Sequence, residues 1–222
     1  MGYFSYYLAF ILLAYVLRHP ALLIGIVAVF LFRRFIPDPW LYLRTFQRMR
    51  LLQRQVDANP ANVTARRDLA RTYLERRLPR RALKLLDEAR QRDPESAELL
   101  YLTGLARLRA GRAEDALDPL VAAVQKDDRV SFGEAYLVAG DALTQLGRHE
   151  EAIDAYERFT ETNSSSVQGF IKLALAQRAH GAEGDAKESL QEGLRTFGQL
   201  PGYRRRKELG WWLRAQLYRF VV

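Results

Sequence analysis

The chain has no cysteine, two methionines and three histidines in 222 residues. Without cysteine there are no disulfides, no thiolate nucleophile and no cysteine-ligated zinc, and the redox compartment is left open. His19, His149 and His180 stand far apart, without the spacing of a metal site or an acid–base pair. No glycine-rich phosphate loop follows a strand pattern, and Asp127-Asp128 and Glu150-Glu151 have the character of solvated faces. The expectation is a protein with no enzymatic activity, no cofactor and no metal. Lysine is scarce as well, five residues against 29 arginines. Arginine with abundant alanine is the usage of a GC-rich bacterial genome.

The net charge of +8 is unevenly placed. Residues 1–62 carry seven Arg/Lys against two Asp/Glu, residues 201–222 carry six against one, and residues 63–200 carry 21 against 23. Val63 to Pro94 is itself basic, so residues 95–200 are net acidic.

Tyr3–Leu17 and Ala21–Phe32 are uncharged and apolar, interrupted by Arg18-His19-Pro20. Each run is shorter than the roughly 20 residues of a spanning helix, and Pro20 suits the first turn of a new helix. Residues 1–36 are expected to be a hydrophobic membrane anchor, either one span or a short helical hairpin hinged at Arg18 to Pro20. A cleaved signal peptide fits poorly, because no positive n-region or small-residue cleavage site is present, and Tyr6 breaks the myristoylation pattern. Arg33, Arg34, Arg44 and Arg48 follow the second run and place the remainder on the cytoplasmic side of a bacterial inner membrane. Asp38-Pro39 opens a basic amphipathic helix to about Asp57 within residues 37–62. Pro60 stands 34 residues before Pro94, so the helix also takes the place of helix B of a degenerate preceding repeat. Its apolar stripe of Tyr42, Phe46, Met49, Leu52 and Val56 is expected to pack on the first repeat, with Trp40 and the arginines in reach of headgroups.

Beyond this helix the sequence becomes periodic. Leu69, Ala70, Tyr73, Ala82, Leu86, Ala89 and Pro94 are followed after 34 residues by Gly104, Ala116, Leu120 and Ala123, after 36 more by Gly140, Ala152, Tyr156 and Phe159, and after 34 more by Ala174, Ala186, Leu190 and Gly193. The longer interval puts two extra residues near Ser131 and Phe132, in an inter-repeat turn. Small residues belong where paired helices cross closely, and larger ones fill the space between neighbours. Gly111, Gly147 and Gly181 recur at the turns. A single helix pair cannot bury its own apolar face, so the pairs must stack.

These residues resemble the tetratricopeptide repeat (TPR) family, whose unit is a 34-residue helix-turn-helix. The resemblance implies an all-α helical solenoid with four repeats over residues 63–200, each with an A and a B helix. It also implies a groove, lined by the A helices, that binds a peptide or the C-terminal segment of a partner protein. Carried over residue by residue, the groove positions are Arg67, Arg71 and Leu74; Tyr101, Leu105 and Leu108; Leu137, Asp141 and Thr144; Ile171, Leu175 and Arg178. Arg67 and Arg71, one turn apart, would grip a carboxylate beside the apolar Tyr101, Leu105 and Leu108. The alternative is a solvated pair of arginines bonded to Asp68 and Glu75. The Lys/Asn carboxylate clamp of the chaperone-binding members is absent, Arg standing for Lys and the Asn partners missing.

Residues 201–222 read as an amphipathic helix closing the last repeat, with Leu209, Leu213, Leu217 and Phe220 as its packing stripe. Trp211 and Trp212, behind Arg204 to Lys207, are candidate membrane-interface residues. The leading expectation is a membrane-anchored adaptor or scaffold, an accessory subunit or assembly factor of a membrane-associated complex. Two alternatives stay open: a periplasmic assembly chaperone like the anchored TPR proteins of cytochrome c maturation, and a lipid-surface organiser using both basic ends. Nucleic acid is not an expected partner, since the basic residues lie beside the apolar segment.

Overall fold

The computed structural model describes residue 18 and residues 39–219. The two apolar runs, with Arg33 and Arg34, lie outside the described residues. Among the described residues no helix is long and apolar enough to cross a membrane. Two compact units divide the chain, residues 1–48 and residues 49–222, and the second holds the repeats.

Among the described residues there are ten α-helices and one 3-10 turn. They run α1 (Pro39–Ala58), α2 (Val63–Glu75), α3 (Pro79–Arg90), α4 (Ala97–Arg109), α5 (Ala113–Lys126), the 3-10 turn η1 (Val130–Gly133), α6 (Glu134–Gln145), α7 (His149–Thr162), α8 (Val167–His180), α9 (Glu183–Gln199) and α10 (Gly202–Tyr218). From α2 to α9 the helices alternate as A and B members of four pairs, each packed mainly on its neighbours in the chain. Of the residues that carry the periodic pattern, Ala70, Ala82, Leu86, Ala89, Ala116, Leu120, Ala123, Ala152, Tyr156, Phe159, Ala174, Ala186 and Leu190 are all buried. The steric requirement that spaces them is met in every pair.

Local chemistry starts and stops the helices. Asn62, Ser96 and Ser166 accept from the backbone N–H of Ala65, Leu99 and Gly169, capping α2, α4 and α8. Gly111, Gly147 and Gly181 turn each A helix into its B helix at φ 80°, 74° and 94°, values that cost a residue with a Cβ about 1–2 kcal/mol. In the first repeat Arg77 takes that place at φ 58°. Pro119 inside α5 cannot donate to the Asp115 carbonyl, and the Arg107 guanidinium does so from the preceding helix at 2.8 Å.

The third repeat enters differently. No side chain caps α6; its N-cap is Gly133 at φ 78°, and the two inserted residues, Ser131 and Phe132, are also left-handed, at φ 50° and 59°. Three consecutive left-handed residues let the chain absorb the insertion without moving the repeats out of register.

Both ends of the repeat array are covered. Leu52, Val56 and Met49 of α1 pack on Ala65 and Leu69 of the first repeat. At the other end Ala215, Trp211 and Tyr218 of α10 pack with Ile171, Leu190 and Leu200, and Trp212 stacks on Phe197 with ring centroids 5.3 Å apart. This reverses the expected packing stripe at Leu209, Leu213 and Leu217, while Phe220 lies outside the described residues. Leu209, Leu213 and Leu217 are 45%, 52% and 67% exposed. Both sides of α10 are apolar, and the side with the larger aromatic surface, Trp211 and Tyr218 around the small Ala215, is the one that docks. Arg204 donates to Ser165 Oγ at 2.9 Å. Glu208 turns inward to the first turn of α8, where the Gln168 backbone N–H bonds its carboxylate, and burial holds its carboxyl above the usual carboxylate range.

Candidate functional site

Successive A helices are cross-linked by polar pairs. On α2, Arg67 donates to Glu98 of α4 at 2.8 Å and to its neighbour Asp68 at 2.9 Å, and Arg71 donates to the other Glu98 oxygen. Next along, the Tyr101 hydroxyl of α4 donates to Glu134 of α6 at 2.6 Å. Then Asp141 of α6 accepts from Lys172 of α8 at 2.5 Å and from the Tyr156 hydroxyl at 2.8 Å. Burial, reinforced by the adjacent carboxylate, pushes both tyrosine phenols above their ordinary range. They stay protonated donors.

Arg67 and Arg71 do converge on one carboxylate, but that carboxylate is the chain's own Glu98. With Asp68 the four residues balance in charge, leaving no surplus cation for an acidic ligand. The partners are Asp68 and Glu98, where the sequence suggested Asp68 and Glu75. Beside this cluster lies a cleft of about 330 Å³ between α2, α4 and the start of α6. Arg71, Leu74, Tyr101 and Leu105 border it, with Phe132 of the left-handed segment also in its lining. Arg109 of the same lining donates to the Leu74 carbonyl at 2.8 Å, ending α2. Phe132 is 84% exposed.

The other expected groove positions divide. Leu108, Leu137 and Ile171 are buried core residues and line no accessible groove; Leu74 and Tyr101 are also buried, reaching the cleft only at its wall. In these helices the face toward the next A helix is itself packed, because neighbouring A helices meet directly at α2–α4 and α4–α6. Leu175 is half-buried against α9 and α10, Asp141 is engaged by Lys172 and Tyr156, and Thr144 and Arg178 are exposed. Of the expected membrane-interface residues, Arg48 is exposed on α1, and the side chains of Trp40 and Arg44 lie outside the described residues. Trp211 and Trp212 are half-buried against the last repeat, with the Arg214 guanidinium 4.5 Å from the Trp211 ring.

Sequence reasoning missed Glu98, Glu134, Lys172 and the orientation of Phe132. A signal for the first three existed: Arg67 to Glu98 and Asp141 to Lys172 are both 31 residues apart, and Tyr101 to Glu134 is 33. In a 34-residue repeat such spacings join equivalent turns of consecutive A helices. Among the described residues no cluster of three His, Asp or Glu could hold a metal ion.

A family model described as T7SS, ESX-1 secretion system protein EccA1, N-terminal domain, matches residues 44–197. No curated protein matches the sequence. Among solved structures, one described as the crystal structure of MamA protein is 25% identical over 68% of this chain and 81% of that chain, with a TM-score of 0.61. A second MamA structure is 26% identical over 67% and 85%, again with a TM-score of 0.61. YrrB, described as a TPR protein with an unusual peptide-binding site, shares the fold at 17% identity, over 70% and 79%, with a TM-score of 0.57.

Proposed function

We propose a function from the premise that the chain belongs to the family of the EccA1 N-terminal domain and is built of tetratricopeptide repeats. It is a non-enzymatic protein-interaction scaffold that holds a segment of a partner protein across the α2–α4 cleft. The observation that carries this reading is Phe132. A bulky aromatic held left-handed costs about 1–2 kcal/mol that a glycine would not incur, and here the ring is presented to solvent over a cleft instead of being buried. With Asp68 and Glu98 neutralising the arginine pair, recognition rests on apolar contact with Phe132 and Leu105, and Arg71 is a polar edge.

The test replaces Phe132 with glycine. Phe132→Gly relieves the left-handed strain and deletes the ring, so the melting temperature should stay within a few degrees while in-cell crosslinking followed by affinity purification loses its dominant partner at least tenfold. A partner retained at wild-type level by the folded variant would remove the cleft from the interaction.

Residues 1–36 tether this scaffold to the bacterial cytoplasmic membrane, with the repeats on the cytoplasmic side, as an accessory subunit or assembly factor of a membrane-associated complex. Support comes from the uncharged runs and the arginines that follow them, and from a family named for a secretion-system protein. Since the native chain has no cysteine, Ser164→Cys gives a single exposed thiol on the repeats. It should resist an impermeant thiol reagent in intact cells and react after lysis. Labelling of intact cells would reverse the orientation and favour the periplasmic chaperone.

A further inference from the structure

The exposed leucines of α10 are unlike other exposed apolar residues of the repeat unit. Leu209, Leu213 and Leu217 recur every four residues along one side of a helix whose opposite side is occupied by Trp211, Ala215 and Tyr218. They form a ridge about 12 Å long, at about 1.5 Å per residue. Basic residues surround it. At about 100° per residue, Arg206 falls on the ridge itself, with Arg205, bonded to the Gly198 carbonyl, on one flank and Arg214, its guanidinium against the Trp211 ring, on the other; all three are exposed, as is Lys207. The single acid of the helix, Glu208, faces inward to α8.

We infer that this outer face of α10 is a docking surface for an anionic lipid bilayer, lying in the plane of the headgroups. Charge and shape select the occupant. A second copy would oppose arginine to arginine with no acid between them, which disfavours self-association through this face. The ridge enters a deformable apolar layer without needing a shaped groove, and an acidic helix that offers such a groove is the competing occupant the experiment tests. The leucines supply the insertion and the arginines and Lys207 the attraction to the anionic surface. The aromatic side serves the fold, leaving the leucine side for the lipid. This inference is independent of the α2–α4 cleft.

The experiment uses the full chain with Leu213→Cys as its single thiol, carrying a polarity-sensitive fluorophore, and a matched Ser164→Cys control. Each is mixed with vesicles of phosphatidylcholine alone or with phosphatidylglycerol added. Flotation reports membrane attachment of the chain, and the emission colour reports whether α10 lies in lipid. The Leu213 probe should shift to the blue with anionic vesicles alone, and return to its aqueous emission when salt rises from ~0.1 M to ~1 M, shortening the screening length from about 10 Å to about 3 Å. The control probe should stay aqueous. The Arg205→Glu, Arg206→Glu, Lys207→Glu variant should keep its fold and lose the shift. Chains that float with anionic vesicles while the Leu213 probe stays aqueous would overturn the inference and leave the tether intact; failure to float with anionic vesicles would overturn both. A shift induced by an acidic amphipathic peptide, and not by vesicles, would assign the face to a protein and overturn the lipid reading.

Discussion

Phe159→Ala should destabilise the repeat unit by about 3–5 kcal/mol, the range for truncating a fully buried phenylalanine, and split its denaturant unfolding into two transitions. Phe159 is among the largest side chains fully removed from solvent. Its ring lies against the backbone of Gly169 on α8, so close that a Cβ there would be 2.7 Å from the ring. The reason is a size exchange between repeats. The register that holds Phe159 holds Ala89 and Ala123 in the first two repeats and Gly193 in the fourth, while the register of Gly169 holds Ala65, Leu99 and Ala135. Where the B helix carries Ala89, the following A helix fills the junction with Leu99; where it carries Phe159, the following A helix gives way to Gly169. At the second junction both residues, Ala123 and Ala135, are small, and Val130 of the inserted turn is buried in the same cluster. Removing the ring therefore leaves two small residues facing each other at the α7–α8 junction. Because a solenoid is held by nearest-neighbour contacts, the loss concentrates there, and α8 to α10 should melt ahead of the rest. The double variant Phe159→Ala, Gly169→Leu reproduces the Ala89–Leu99 arrangement and should recover most of the loss. Urea unfolding of the wild type and both variants decides the matter: a cost below about 1 kcal/mol for the single change, or no recovery in the double, would mean that Phe159 and Gly169 do not share the junction in this way.

How much of this was legible depends on which force writes the signal. Close helix crossings admit only small side chains, so the crossing positions appear directly as residue types, and Ala70, Gly104, Gly140 and Ala174 could be found by counting. The insertion at Ser131 and Phe132 was visible as a change of interval, but its left-handed geometry was not, because neither residue type has a preference for that conformation. Ion pairs between helices leave a fainter trace. Arg67 and Arg71 could be placed on one face from their spacing, yet the residue that bridges them, Glu98, lies on the next A helix and emerges only when the repeats are stacked. The C-terminal helix misled for a third reason. Both of its sides are apolar, and periodicity does not say which one meets the protein; the fit of Trp211, Ala215 and Tyr218 to the end of the array decides it.

Gly140→Ala should destabilise the fold even though the same change at Gly210 stabilises it. Both glycines lie within helices, α6 and α10, where replacing glycine by alanine gains about 1 kcal/mol in backbone propensity. At Gly210 a new Cβ meets nothing within 4 Å, so that gain is realised. At Gly140 the Cβ would be 2.5 Å from Cε1 of Tyr156 and 2.8 Å from Cζ, well inside contact distance. The ring cannot simply swing aside. Its hydroxyl donates to Asp141 at 2.8 Å and lies 3.3 Å from Thr144 Oγ1, while Asp141 is also bonded to Lys172 of the next repeat. Moving the ring strains a link between α6 and α8 as well as the α6–α7 crossing. Overpacking of this kind costs about 1–3 kcal/mol, which exceeds the propensity gain through most of that range. In the first repeat the same registers hold Ala70 and Leu86, so adding Tyr156→Leu to Gly140→Ala restores a pairing the fold already uses, at the loss of the hydroxyl's bond to Asp141. The double variant should unfold at a higher urea midpoint than Gly140→Ala alone. A Gly140→Ala chain as stable as the wild type would show that Tyr156 yields freely, and the polar link from Tyr156 through Asp141 to Lys172 would then have no part in holding the repeats together.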